Sequence, residues 1–149
     1  MVEQNLALVR RWFEEVWNQK NIQTVKELVA PDCIWHGTSE TGDELRGPEG
    51  FLTLHSRLLD AFPDMHFVLG DVFGSGEQVA VRWTATMKHS GDGLGMKASG
   101  ANITLSGMGI ARFSGGKIVE TWDSWDKLGM MQQIQVATTA KSATNSQAT

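Results

Sequence analysis

The sequence predicts an α+β domain, a conical barrel in which N-terminal helices close a strongly curved, mainly antiparallel sheet around one apolar pocket. Three observations carry this. Up to Pro63 the apolar residues recur at intervals of three and four, the period of helices with one buried face. After Pro63 the period falls to two and glycines punctuate it, as strands and turns require. Two joints between strand patterns, Gly74-Ser75-Gly76 and Ser114-Gly115-Gly116, are short and glycine-containing, which makes their flanking strands antiparallel hairpins. Helices first and strands afterwards put the helices on one face of the sheet. A bent sheet covered in this way leaves a cone to be filled by side chains or by a ligand.

The first helix is predicted from Asn5 to about Gln19, where Leu6, Val9, Trp12, Phe13, Val16 and Trp17 form a face rich in large rings. A second follows with Ile22, Val25, Leu28 and Val29, capped by Asn21 and stopped by Pro31. Cys33-Ile34-Trp35-His36 reads as a short strand and Gly37 to Arg46 as a polar loop. Pro48 opens a third helix with a stripe of Phe51, Leu54, His55, Leu58 and Phe62, and Pro63 ends it. Strands are predicted near Met65–Val72, Gln78–His89, Asn102–Phe113 and Lys117–Trp125, with a glycine-rich connection from Ser90 to Gly100. Asp126 caps a short helical segment from Lys127 to Gln133. The single domain covers residues 1–136. The polar tail 137–149 is too poor in apolar residues to order itself and is expected to be disordered.

A chain of 149 residues holds one core and one pocket. Thirteen Lys plus Arg against seventeen Asp plus Glu give a net charge of −4 with no basic stripe, which excludes nucleic acid as a partner. No run reaches the length of a membrane span, and the N-terminus lacks the uninterrupted apolar stretch of a signal peptide. The single cysteine, Cys33, forbids an intramolecular disulfide and fits a reducing, cytoplasmic compartment. A cone of this size turns one sheet face away from its cavity, and apolar residues there predict a homodimer.

Six tryptophans and no tyrosine shape the search for chemistry. The four histidines lie on different elements and match no metal-binding spacing, so no metal site is predicted. Gly91, Gly93 and Gly95 lack the following helix of a phosphate-cradling loop and read as a hairpin connection. The densest segment is Lys117 to Asp126, where Glu120, Asp123 and Asp126 alternate with Trp122 and Trp125. Burial among apolar groups raises a carboxyl pKa and costs stability unless the charge is used or compensated. Strand parity puts Thr121, Asp123 and Trp125 on one face and Glu120, Trp122, Ser124 and Asp126 on the other, without deciding which faces the pocket. Asp126 alternatively caps the last helix, and Asp123 alternatively pairs with Arg112 or Arg82. His36 and His89 each end a predicted strand, at the rim of a pocket, where either could orient or protonate a carbonyl. His55 reads as a satisfied core histidine and His66 as a surface one. The predicted pocket wall is Trp12, Trp17, Trp35, Phe51, Trp83, Arg112 and Trp125.

Several short motifs, in order, resemble the SnoaL-like polyketide cyclase, or ester cyclase, family. They are Leu8-Val9-Arg10-Arg11, Pro31-Asp32, Arg46-Gly47-Pro48-Glu49-Gly50, Lys88-His89-Ser90-Gly91, Gly116-Lys117-Ile118-Val119-Glu120 and Trp122-Asp123-Ser124-Trp125-Asp126-Lys127-Leu128-Gly129. The resemblance runs from about Asn5 to Ile134. It implies the conical fold of the nuclear transport factor type and an intramolecular aldol ring closure on a small hydrophobic carbonyl compound, without metal or cofactor. It also implies a general acid/base aspartate on the last strand, at Asp123. Gly109 stands where the family usually has a polar strand residue, and Trp35 near a family asparagine, so His36, His89 or Arg112 would replace those partners or the substrate would differ.

Without tyrosine, the sites of ketosteroid isomerase and scytalone dehydratase, which share that fold, are not available here. A limonene-type epoxide hydrolase needs an Asp-Arg-Asp set of which Arg112 and Asp123 supply part. A noncatalytic ligand carrier or dimeric interaction module, with Asp123 merely paired to Arg112, is the reading from another class.

Overall fold

The computed structural model describes residues 1–147. Helix α1 (Val2–Arg11) runs without a break into a π-helical turn, Trp12–Asn18. Hydrogen bonds from residue i+5 to i place Trp12 over Trp17, and both rings meet Phe51, at 4.8 and 5.6 Å between centroids. The looser turn leaves the Val16 carbonyl free to accept a hydrogen bond from His55 Nε2 at 2.8 Å. His55 is therefore the satisfied core histidine the sequence predicts, and burial pushes its pKa down. Helix α2 (Ile22–Leu28) is capped by the Asn21 side chain, which accepts from the Gln23 amide at 3.0 Å.

Strand β1 (Val29–His36) begins before Pro31 instead of after it. Its register against its neighbour shifts between Val29 and Ile34, and that irregularity accommodates a residue with no amide hydrogen. The expected polar loop contains a two-residue edge strand, β2 (Leu45–Arg46), and leads into α3 (Gly47–Ala61). Strands β3 (His66–Ser75), β4 (Gln78–Lys88), β5 (Asn102–Ser114) and β6 (Lys117–Trp125) follow. Gly115 and Gly116 both have positive φ, +57° and +77°, as a two-residue hairpin turn between β5 and β6 requires.

The sheet order is β2-β1-β6-β5-β4-β3, antiparallel except where β1 runs parallel to β6. The sheet is curled and not closed: β2 and β3 are its edges. The cone is thus completed by helices, not by a further strand pair. Asn18 fastens the helical side to the β3 edge, donating to Phe67 O at 3.0 Å and accepting from Phe67 N at 2.7 Å. One continuous core fills the space between, from Val9 and Val16 through Phe51 and Phe62 to Ile103, Phe113 and Ile134.

Helix α4 spans Lys127–Gln147 and is longer than the segment expected from Lys127 to Gln133. Asp126 caps it, accepting from the Gly129 amide at 2.8 Å. The continuation takes in most of the segment expected to be disordered, and its alanines and unbranched polar residues have fair helix propensity. Residues 138–143 are exposed. Residues 148–149, also part of that expectation, lie outside the described residues. Removing Thr138–Thr149 should lower the melting temperature by less than about 2 °C, measured by circular dichroism, because so little apolar surface is covered by it. A drop of about 8 °C or more would show that the helix end supports the core.

Candidate active site

Strand parity and register decide what faces the inside of the cone. On β4, Val79, Val81, Trp83, Ala85 and Met87 are buried and alternate with more exposed residues. Their partners on β5 include Gly107 opposite Trp83 and Gly109 opposite Val81. On β6, Trp125 pairs with Gly107, Asp123 with Gly109 and Thr121 with Ala111. Thr121, Asp123 and Trp125 therefore point inward. They border a cavity of about 110 Å³ whose lining is almost wholly apolar, with Asp123, Thr38 and Thr121 as its polar side chains besides the tryptophans.

Thr38 Oγ1 donates to Asp123 Oδ2 at 2.5 Å, and Thr121 Oγ1 lies 3.5 Å from the same oxygen. Thr38 gets there through Gly37. With φ at +72°, Gly37 turns the chain off the end of β1 and presses it so closely on the Asp123 carbonyl that a β-carbon would overlap it. Trp125 Nε1 then donates to the Thr38 carbonyl at 3.1 Å and fixes the turn. The other carboxylate oxygen, Oδ1, lies against Gly109, where a β-carbon would likewise overlap it. Among the described residues it has no hydrogen-bond partner and it is not sealed off. One oxygen is anchored; the other is open to the cavity. Burial pushes the Asp123 pKa up to about 6, against the opposing hydrogen bonds of Thr38 and Thr121 and the more distant charge of Lys127.

Thr38 was missed in the sequence, where it falls within a polar loop. The one signal was a glycine directly after a strand end. Trp12, Trp17, Trp35, Phe51, Trp83 and Trp125, the aromatic residues expected to bind substrate, line the cavity. Gly109 faces it beside Asp123.

Three predicted site residues are placed elsewhere, and parity is the reason for two of them. His36 pairs in register with Trp122 and shares its outward face, stacking on that ring at 5.7 Å between centroids. Its Nε2 lies 2.7 Å from Glu120 Oε2, and Arg112 Nη2 donates to Glu120 Oε1 at 3.1 Å. Those hydrogen bonds, from His36 and then Arg112, hold the Glu120 carboxyl below its usual range. The pair predicted for Arg112 is thus with Glu120 on the convex face, not with Asp123, and Arg112 does not line the cavity. His89 is fully buried at the end of β4, its Nδ1 2.8 Å from Ser99 Oγ, and lies outside the cavity lining. The connection Ser90–Gly100, held to α3 by bonds from the Ser90 and Gly91 amides to Ala61 O, covers that strand end. Desolvation pushes the His89 pKa down. Among the described residues, no group of three His, Cys, Asp or Glu side chains could hold a metal ion, and no helix is long and apolar enough to cross a membrane.

The SnoaL-like polyketide cyclase family model matches residues 7–134. The aklanonic acid methyl ester cyclase DnrD of Streptomyces peucetius is 30% identical over 130 residues, covering 87% of this chain and 89% of that protein. The aklanonic acid methyl ester cyclase DauD of Streptomyces sp. (strain C5) is also 30% identical, over 87% of this chain and 80% of its own. Wild-type IdmH from Streptomyces antibioticus superposes with a TM-score of 0.75 at 28% identity, covering 87% of this chain and 96% of that one. A SnoaL-like protein from Jannaschia sp. CCS1 reaches 0.80 at 23% identity, over 89% and 92% of the two chains, a likeness of fold.

The raised Asp123 pKa has a consequence for stability. An unfolded aspartate ionises near pH 4 and the folded one near pH 6, so the folded state binds the proton more tightly between those values. Stability from this group is therefore full below pH 4 and falls as pH rises through 6, by on the order of 2–3 kcal/mol. Asp123→Asn should remove that slope. In urea titrations, its stability relative to the wild type should rise between pH 4.5 and pH 7.5. A difference independent of pH would mean that the carboxylate is well solvated.

Proposed function

We propose, from the premise that this chain belongs to the SnoaL-like polyketide cyclase family, that it closes a ring in a small hydrophobic carbonyl compound by an aldol reaction. The observation that supports this best is a carboxylate with one free oxygen in an apolar cavity. Asp123 Oδ1 removes a proton from a carbon between carbonyl groups, and the C–H electron pair becomes the enolate. The enolate carbon attacks a second carbonyl of the same molecule. The new alkoxide takes the proton back from Asp123, which leaves an alcohol and restores the carboxylate. The sum is an isomerisation that needs no co-reactant, cofactor or metal. A pKa near 6 suits both steps: the group is ionised at neutral pH, yet basic enough to accept a proton. Thr38 keeps Oδ2 in place so that Oδ1 meets the substrate. The aromatic walls exclude water and stack on a flat, conjugated ligand.

The same reading places the protein in the cytoplasm, where its single buried thiol, Cys33, stays reduced. It also makes the protein a homodimer through the convex sheet face. Phe73, Ala80, Ile110 and Trp122 are successive register partners across four strands and form one outward row. Phe73 is 65% and Ile110 42% exposed, an apolar band that a second copy would cover.

Asp123→Asn is nearly isosteric and cannot accept a proton, so it should lose activity by about a hundredfold to ten-thousandfold with ligand affinity kept. Solvent deuterium incorporation at the α-carbon of β-ketoester probes, followed by NMR, measures this. Asp126→Asn is the control, because asparagine caps a helix about as well. Wild-type kcat/KM should rise with pH to a plateau, with an apparent pKa near 6. Full activity of Asp123→Asn would leave a ligand carrier as the better account. For the interface, light scattering at micromolar concentration should give a dimer for the wild type and a monomer for Trp122→Glu. A monomeric wild type would overturn the homodimer.

A further inference from the structure

We infer that the Trp83 indole N–H is the donor that holds the enolate oxygen formed when Asp123 takes its proton, an inference that rests on the ring-closing reading above. An enolate inside an apolar cavity needs a hydrogen-bond donor near the developing charge. Here neither histidine predicted at the rim reaches the cavity, and the chain has no tyrosine. Thr38 and Thr121 both direct their hydroxyls to Asp123 Oδ2. What remains are indole N–H groups. Trp35 commits its Nε1 to Gly47 O at 3.0 Å and Trp125 its Nε1 to Thr38 O. Among the described residues Trp83 Nε1 has no hydrogen-bond partner, yet it is not sealed among buried atoms, and the ring faces inward onto the cavity.

The two glycines of β5 put this donor next to the base. A β-carbon at Gly107 would collide with the Trp83 ring, lying 2.8 Å from Cε2, the carbon that bears Nε1. A β-carbon at Gly109 would collide with Asp123 Oδ1. Both positions face inward and stand two residues apart on one strand, about 7 Å along it. The indole and the free carboxylate oxygen thus lie side by side over a strip with no side chains of its own. An α-carbon over Gly109 would bring its carbonyl oxygen toward the indole. The cavity lining also contains Trp12 and Trp17, but these rings pack on Phe51 and neither is among the atoms nearest a β-carbon at Gly107 or Gly109.

The test is binding of 4-nitrophenol, whose phenolate mimics an enolate oxygen and absorbs at a longer wavelength than the neutral phenol. It is measured on the full-length Asp123→Asn variant, which imitates the protonated acid that coexists with the enolate. Replacing Trp83 by 3-benzothienylalanine exchanges N–H for sulfur at almost unchanged shape. The phenolate should then bind about tenfold to a hundredfold more weakly, as expected for a hydrogen bond to a charged oxygen. Binding of 4-nitroanisole, which cannot carry that charge, should stay the same, so a merely structural effect is separated from loss of a donor. Trp83→Phe should show the same selective loss. Equal phenolate affinity with and without the N–H, or a parallel loss for 4-nitroanisole, overturns the assignment. So does failure of the phenolate to bind any form. The ring-closing reading fails separately, if Asp123→Asn with Trp83 intact keeps full turnover.

Discussion

Everything around the cavity answers to one difficulty, the retention of a charge within an almost wholly apolar lining. Ionised Asp123 has a single strong hydrogen bond, from Thr38, and a longer one from Thr121. Lys127 adds a weaker electrostatic pull, and its ammonium sits 5.6 Å from the centre of the Trp125 ring. This is partial compensation: enough to keep the group ionised at neutral pH, and too little to make it an inert anion. Full compensation would be an arginine in contact, as Glu120 has on the other face of the same strand. The contrast between two carboxylates three residues apart on β6 shows what environment does to one chemical group. Glu120, hydrogen-bonded by His36 and Arg112, is held below the usual carboxylate range, while burial lifts Asp123 to about 6.

That division depends on the pairing of β1 alongside β6. Parallel pairing puts Trp35 level with Thr121 and His36 level with Trp122, so adjacent residues of one short strand serve opposite surfaces. Trp35 joins the stack with Trp12 and Phe51 inside, at 5.7 and 4.8 Å. His36 joins the charged row outside. The strand ends at His36, Gly37 turns the chain, and Thr38 returns to the inner surface over Asp123. Trp35, His36 and Thr38 are thus sorted between two surfaces within four residues of chain.

Much of the fold was legible because periodicity and turn chemistry report local structure. The helical stripes, the Asn21 and Asp126 caps and the glycine hairpins all follow from residues near one another in the chain. The ring-lined wall was legible too, since large apolar side chains facing a concave sheet have few other places to go. What could not be read was long-range. The locations of His36 and Arg112 turn on which sheet face is concave, and parity within a strand leaves that choice open. Thr38 is 85 residues from Asp123 and reaches it through one positive φ value. The Val16 carbonyl of the π-helical turn is met by His55, 39 residues away in the chain. Pro31 signals an interruption equally at a helix end and in a strand irregularity, and the latter is what occurs.

Gly107 and Gly109 also set which side chains the inner surface of β5 can carry. A side chain added at either position overlaps a group already there, the Trp83 ring in one case and the Asp123 carboxylate in the other. A side chain at position 109 therefore displaces the carboxylate oxygen from its present place, and one at position 107 competes with a packed indole. The width of the cavity at this point is thus set by two missing side chains as much as by the rings around it.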